Sequence, residues 1–178
     1  DIMLDLGAIA KGYATQKAYE YLKSQDIQYY SITSGSSSII LGENKNRPTE
    51  EFIYKVSLAN PAKTEFTDKA TYGTIDVKNT SVTTSGNYEQ YVLHQGYRYH
   101  HIVSPKDKMP VQYYHTVTVI GQDAGSLDAL STALFSMSPE IMDAWLVEHQ
   151  IDLGIELIIY NQDGSITTHL NGTKFKEH

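Results

Sequence analysis

His115-Thr116-Val117-Thr118-Val119-Ile120 is followed, after a short break, by Ser126-Leu127-Asp128-Ala129-Leu130-Ser131-Thr132-Ala133-Leu134-Phe135-Ser136-Met137. The first stretch is dense in β-branched residues, whose stiff side chains pack well on a pleated surface, so a strand is predicted over 115–120. In the second, Leu127, Leu130, Ala133, Leu134 and Met137 share one face at helical spacing, which predicts a helix over 126–137. A strand running into an apolar helix, in a chain with many short strands and few helices, points to the α+β class. The expected architecture is an antiparallel or mixed sheet packed with helices.

Downstream, Ser138-Pro139 has the form of an N-cap with proline at the first helical position, opening a helix to about residue 149. Strands at 155–160 and 165–170 flank the hairpin signal Asn161-Gln162-Asp163-Gly164. Upstream, strand character appears at 29–32, 38–41, 54–58, 81–84, 89–93 and 99–103, with turns at Gly86-Asn87 and Gln95-Gly96. At the beginning, Ala10, Tyr13, Ala14, Ala18, Tyr21 and Leu22 fall on one face of a helix predicted over 8–24. No repeat, low-complexity tract or linker interrupts the pattern, so residues 1–178 read as a single domain.

The chain has 14 basic and 21 acidic side chains, a net charge of -7, and no basic block to neutralise a run of phosphates. A nucleic-acid partner is therefore not expected. Cysteine is absent, which rules out a disulfide framework and any thiolate metal site. No apolar run approaches the roughly 18–20 residues that cross a bilayer, so the chain as given is expected to be soluble. Its abrupt apolar start at Ile2, Met3 and Leu4 reads as that of a fragment or a processed piece.

Three constellations could carry chemistry. In Asp5-Leu6-Gly7-Ala8-Ile9-Ala10-Lys11-Gly12-Tyr13-Ala14, Gly7 permits a tight turn into a helix. Backbone groups near Ala8 and the Lys11 ammonium could then face an anionic ligand. The same residues also describe an ordinary strand-to-helix junction with a solvated lysine. Asp128 and Thr132 are four apart in the predicted helix, so a carboxylate and a hydroxyl project from one side, a pair suited to a hard cation such as Mg²⁺. The alternative is an Asp128 in the first helical turn, favoured by the dipole, and a Thr132 bonded back to the backbone. Thr83-Thr84-Ser85-Gly86-Asn87-Tyr88, followed by His100-His101, combines small hydroxyl residues that allow close ligand approach with a histidine that exchanges protons near neutrality. A plain hairpin with surface histidines has the same pattern.

Taken in order, residues 5–14, Thr84-Ser85-Gly86-Asn87-Tyr88, His101-Ile102-Val103-Ser104-Pro105-Lys106 and Leu127-Asp128-Ala129-Leu130-Ser131-Thr132-Ala133-Leu134 resemble the ApbE family of FAD:protein FMN transferases. The resemblance covers about residues 1–170 and corresponds to the later, larger part of a family chain. It implies an ApbE-like, T-fold-like architecture. It implies FAD as substrate, Mg²⁺ as cofactor, and transfer of FMN to a Thr or Ser hydroxyl of an acceptor protein with release of AMP, with FAD hydrolysis as a possible side activity. Mg²⁺ would be held by the Ala8 carbonyl, Asp128 and Thr132. Lys11 would lie against the pyrophosphate and His101 would handle the proton of the attacking hydroxyl, making these two the catalytic candidates. Gly7, Lys11, Tyr13, Ser34, Gly35, Thr84, Ser85, Gly86 and His101 would contact the flavin nucleotide. The resemblance also implies a location outside the cytoplasm, tethered to the membrane through an N-terminal lipid anchor.

Three positions depart from the family pattern. Thr33-Ser34-Gly35-Ser36-Ser37 stands where a Gly-Gly-Asp or Gly-Gly-Asn turn is usual, and Lys108 stands where glycine is common. Ser104 replaces an Asp, removing a carboxylate that could orient His101 or support the metal. These departures raise the alternative of a catalytically impaired FAD- or FMN-binding module.

Overall fold

The structure, a computed structural model, describes residues 3–61 and 70–178; Ile2 lies outside them. Among these described residues, eleven strands and three α-helices follow in the order α1 (Ala10–Ser24), β1 (Ser31–Ser34), β2 (Ser38–Leu41), β3 (Tyr54–Ala59), β4 (Thr71–Val77), β5 (Thr80–Gly86), β6 (Tyr91–His94), β7 (Tyr97–His100), β8 (Tyr114–Gly121), α2 (Ala124–Phe135), α3 (Pro139–Leu153), β9 (Glu156–Asn161), β10 (Ile166–His169) and β11 (Lys174–Glu177). A short 3₁₀ turn, Pro48–Glu50, precedes β3. The main sheet has the order β1-β2-β5-β8-β9-β10 and is antiparallel throughout. The order β11-β4-β3 makes a second sheet, and β6-β7 form a separate hairpin.

The main sheet is the middle layer, and its central strands have apolar residues on both faces for that reason. Val117 and Val119 of β8 and Leu157 and Ile159 of β9 join Leu127, Leu134 and Phe135 of α2 and Met142 and Leu146 of α3 in one cluster. Ile120 of β8 and Ile158 of β9 point the other way, onto Leu58, Tyr72, Ile75 and Val77 of the three-stranded sheet. A strand covered on both sides reads as a nearly continuous apolar run, as residues 155–160 do.

The α+β reading holds, and the differences from it have local causes. The first helix begins at Ala10, not at residue 8, because the Gly12 amide is diverted to another helix. The α2 helix opens earlier than 126, since Asp123 caps it by accepting a hydrogen bond from Ser126 N at 2.7 Å. That start places Asp128 beyond the first turn, where no acidic residue lies, so the dipole account of Asp128 falls away. Ser138 is the N-cap of α3 as predicted, although its side chain makes no capping bond, and the helix continues to Leu153.

Gln95 and Gly96 both have positive φ (51° and 79°) and make the tight β6–β7 turn, the backbone form that matches strand twist. Gly86 is not part of a turn: it ends β5, and the chain bends only after it. Two strands escape the sequence pattern. In β4, Gly73 breaks the expected alternation because the Phe175 ring occupies its side-chain position, with Cε2 only 2.2 Å from where a Cβ would sit. In β11, Lys174-Phe175-Lys176-Glu177 is charged except for that one ring, as suits a short edge strand.

Candidate active site

Between the start of α1, the end of β5, the α2 helix and the segment after β7 lies a cavity of about 800 Å³. Nine of the expected site residues line it: Gly7, Ala8, Lys11, Thr84, Ser85, Gly86, His101, Asp128 and Thr132. Three do not. Tyr13 lies on the exposed side of α1 with the Lys17 ammonium 5.5 Å from its ring centre, and Ser34 and Gly35 are displaced by their hairpin register. In that hairpin Ser34 pairs with Ser38, which leaves Ser36 and Ser37 to face the cavity instead. Neighbours within a serine-rich turn are indistinguishable until the register of β1 on β2 is known.

The most closely built corner lies where α1 crosses α2. Gly12 N donates to Asp128 Oδ2 at 2.8 Å, a bond between residues far apart in the chain. In a regular helix that amide would donate to the Ala8 carbonyl. Among the described residues no backbone amide does so, which leaves the Ala8 oxygen an acceptor at the rim of the cavity. Asp128 is only 5% exposed. Burial pushes its carboxyl above the usual carboxylate range, while the Gly12 amide and the Lys11 charge pull it back. Thr132 Oγ1 donates back to the Asp128 carbonyl at 3.3 Å, so the backbone bond that the sequence allowed is present, and its lone pairs remain available. A buried carboxylate with one amide donor, lining the same cavity as a carbonyl and a hydroxyl, offers hard oxygen donors of the kind that Mg²⁺ takes.

The two adjacent histidines differ completely. His100 is buried at the end of β7, edge-on to Phe135 with ring centres 5.7 Å apart. Ile102 N donates to its Nδ1 (3.2 Å), so Nε2 carries the proton and donates to the Val111 carbonyl at 2.6 Å. Burial holds its pKa below the ordinary value. His101 is exposed to the cavity. Because the folded state binds a proton at His100 less readily than the unfolded chain does, stability is lost as pH falls from the unfolded value of about 6.5 toward and through the lower folded one. His100→Ala should lower stability by about 2 kcal/mol and flatten the fall in melting temperature below neutral pH. His101→Ala should stay within about 0.5 kcal/mol of the parent. Thermal melts from pH 5.5 to 7.5 check both, and equal losses at the two positions would contradict the assignment.

A sequence model of the ApbE family matches residues 1–155. The chain belongs to the ApbE family. It is 33% identical over 162 residues to an FAD:protein FMN transferase of Klebsiella pneumoniae, covering 90% of this chain and 46% of that protein. It is 27% identical to one of Haemophilus influenzae, covering 93% and 46%. Among solved structures it resembles the ApbE protein of Thermotoga maritima, with TM-score 0.76 and 32% identity over 93% of this chain and 50% of that one. A variant of the flavin transferase ApbE from Vibrio cholerae gives TM-score 0.69 and 25% identity, covering 95% and 50%. The chain thus spans about half the length of the relatives it matches, less than the larger part that the resemblance implied.

Within this ApbE chain, Ser34 and Ser104 do not line the cavity, whereas Ser36 and Ser37 of the same altered turn do. Among the described residues no hydrogen bond joins Ser104 to His101: its Oγ accepts from Lys106 N and Asp107 N, both at 3.2 Å, and donates to Asp107 Oδ2 at 3.3 Å. An Asp there would accept the same two amides but would set its carboxylate against that of Asp107, to which the Ser104 hydroxyl donates, so serine caps this turn without the like-charge contact. Lys108 has a φ of 56°, the left-handed region in which glycine carries no penalty. Ser104→Asp should therefore lower stability by about 1 kcal/mol at neutral pH through repulsion from Asp107, measured by urea denaturation; no loss would mean that the Asp107 carboxylate turns away from position 104.

The sequence reading missed several residues that the structure brings to the site. Gly12 is one: a Cβ there would lie 2.2 Å from the Ala124 carbonyl oxygen and 2.6 Å from Asp128 Cβ. Ser131, fully buried, donates to the Asp128 carbonyl at 3.0 Å and adds a second hydroxyl to that corner. Tyr88, quoted in the third constellation but given no contact there, lies against Gly86, whose missing side chain makes room for the ring. Ser36 Oγ reaches Glu89 Oε1 at 2.6 Å across the cavity rim. Gly12 and Ser131 stand inside motifs already quoted, but nothing local marks which of their neighbours they meet.

Proposed function

We propose that the complete protein is an FAD:protein FMN transferase. The observation that carries this reading is the meeting, in one cavity, of Lys11, Asp128, Thr132, Thr84, Gly86 and His101 from four separated segments, in a chain whose relatives bear that name. In the reaction, the hydroxyl oxygen of an acceptor Thr or Ser bonds to the phosphorus of the FMN half of FAD. The bond from that phosphorus to the bridging oxygen breaks, and AMP leaves with the oxygen. The hydroxyl proton passes to His101, which faces the cavity and is not committed to a packing role as His100 is. Lys11 offsets pyrophosphate charge, an important contribution in a chain of net charge -7. Thr84, Gly86 and Gly7 present small groups and backbone to the nucleotide.

Mg²⁺ held by the Ala8 carbonyl, Asp128 and Thr132 would supply further charge neutralisation at the phosphates. With water in place of the acceptor hydroxyl the same site would hydrolyse FAD to FMN and AMP. On the same family resemblance we place the full-length protein outside the cytoplasm, tethered by a lipid anchor. The second reading, an impaired flavin-binding module, draws on the altered 33–37 turn, whose Ser36 and Ser37 line the cavity although Ser34 and Ser104 do not.

The test is incubation of the full-length protein with FAD, Mg²⁺ and an acceptor carrying a reactive threonine. Covalent flavin fluorescence on the acceptor and a matching release of AMP are expected. Neither product, under conditions where FAD binds, would leave only the binding-module reading.

A further inference from the structure

We infer that Ser85 is a positioning residue for the cation corner, acting through Thr132, and not a direct contact of the flavin nucleotide. This rests on the transferase reading above. Ser85 is half-buried near the end of β5, where it pairs with Val117 of β8, so its backbone is held by the ladder of the main sheet. Its Oγ lies 2.8 Å from Ser131 Oγ and 3.2 Å from Thr132 Oγ1, both on α2. Those two hydroxyls also reach the Asp128 carbonyl oxygen, at 3.0 and 3.3 Å.

The proton count decides what this cluster presents to the cavity. Each hydroxyl has one hydrogen and two lone pairs. Ser131 and Thr132 reach the Asp128 carbonyl, whose oxygen also receives the α2 backbone amide of residue 132, so of their two hydrogens one or both go there and any other goes to Ser85 Oγ. The Ser85 hydrogen goes to Ser131 or Thr132. All three protons are then used inside the cluster, and Thr132 Oγ1 turns a lone pair, not a hydrogen, toward the cavity. A hard cation requires that orientation of a neutral hydroxyl donor. Without Ser85, the Thr132 side chain loses its tie to the sheet and its hydroxyl rotor is less constrained, so the cation loses a preorganised oxygen.

The test compares Ser85→Thr with Ser85→Val in the full-length protein, two side chains of nearly equal shape that differ in the hydroxyl. Mg²⁺ affinity is measured by calorimetry with FAD bound, and FAD affinity separately in EDTA. We expect Ser85→Val to weaken Mg²⁺ binding by about 10- to 100-fold, the range for partners that orient a metal ligand, and to leave FAD affinity in EDTA unchanged. Ser85→Thr should restore Mg²⁺ affinity to within about threefold of the parent, the hydroxyl and its partners being retained. Equal Mg²⁺ affinity in Ser85→Val and the parent overturns the inference. Weaker FAD binding by Ser85→Val in EDTA overturns it too, by making Ser85 a direct contact. A parent protein that binds FAD but no Mg²⁺ overturns the cation reading on which the inference stands.

Discussion

Asp128→Asn should abolish the rise in melting temperature that Mg²⁺ gives the FAD-bound full-length protein, and should lower FMN transfer by at least ~100-fold. Partners that merely orient a metal ligand are each worth roughly 10- to 100-fold, and Asp128 is the only carboxylate in the proposed set. In EDTA the expectation reverses. The Asn side-chain oxygen can still accept the bond from Gly12 N, seen at 2.8 Å in the parent, while a buried charge with little compensation is removed. The variant should therefore melt at or above the parent temperature without metal and below it with metal. This crossover separates loss of a ligand from loss of fold, since a misfolded variant would melt lower in both conditions. A variant that kept its Mg²⁺-dependent stabilisation would remove Asp128 from the metal site.

The second large effect is expected at Gly12, where the two site-building helices touch. A side chain there meets Ala124 and Asp128 at 2.2 and 2.6 Å, and the first of these contacts is a backbone carbonyl that cannot rotate away. Gly12→Val should cost about 3 kcal/mol, at the upper end of overpacking penalties, which for a chain of this size lowers the melting temperature by roughly 6–12 °C. Mg²⁺-dependent stabilisation should disappear as well, because the separated helices no longer hold the Gly12 amide against Asp128. Gly125, on the α2 side of the same crossing, is the control. A Cβ there would find its nearest neighbours at 3.4 Å or more, ordinary contact distance, so Gly125→Ala should melt within a few degrees of the parent, for a cost of about 1 kcal/mol or less. Differential scanning calorimetry of the two variants decides the matter; a Gly12→Val protein that melts like the parent would mean that the helices are free to move apart.

Much of the architecture was legible in the chain because it depends on near neighbours. The β-branched run at 115–120 and the apolar spacing at 126–137 each favour one backbone conformation within a few residues, and β8 and α2 formed close to where those periods lie. The pairing of Asp128 with Thr132 was legible for the same reason, since a four-residue step puts two side chains on one side of any helix. Strand β4 was hidden because Gly73 reads as a local breaker, and only the Phe175 ring, arriving from the far end of the chain, explains it.

The sequence by itself determined the α+β class, most of the strands and the residue types gathered at the site. Tertiary structure alone decided that His100 turns into the core and His101 into the cavity. It also decided that Ser36 and Ser37, rather than Ser34 and Gly35, face the ligand space, and that the Gly12 amide leaves its own helix for Asp128. The physical reason is that local conformation is chosen by the steric and hydrogen-bonding preferences of adjacent residues. Which of two neighbours faces a site depends on strand register and helix separation, and those are set by side chains packing from distant parts of the polymer.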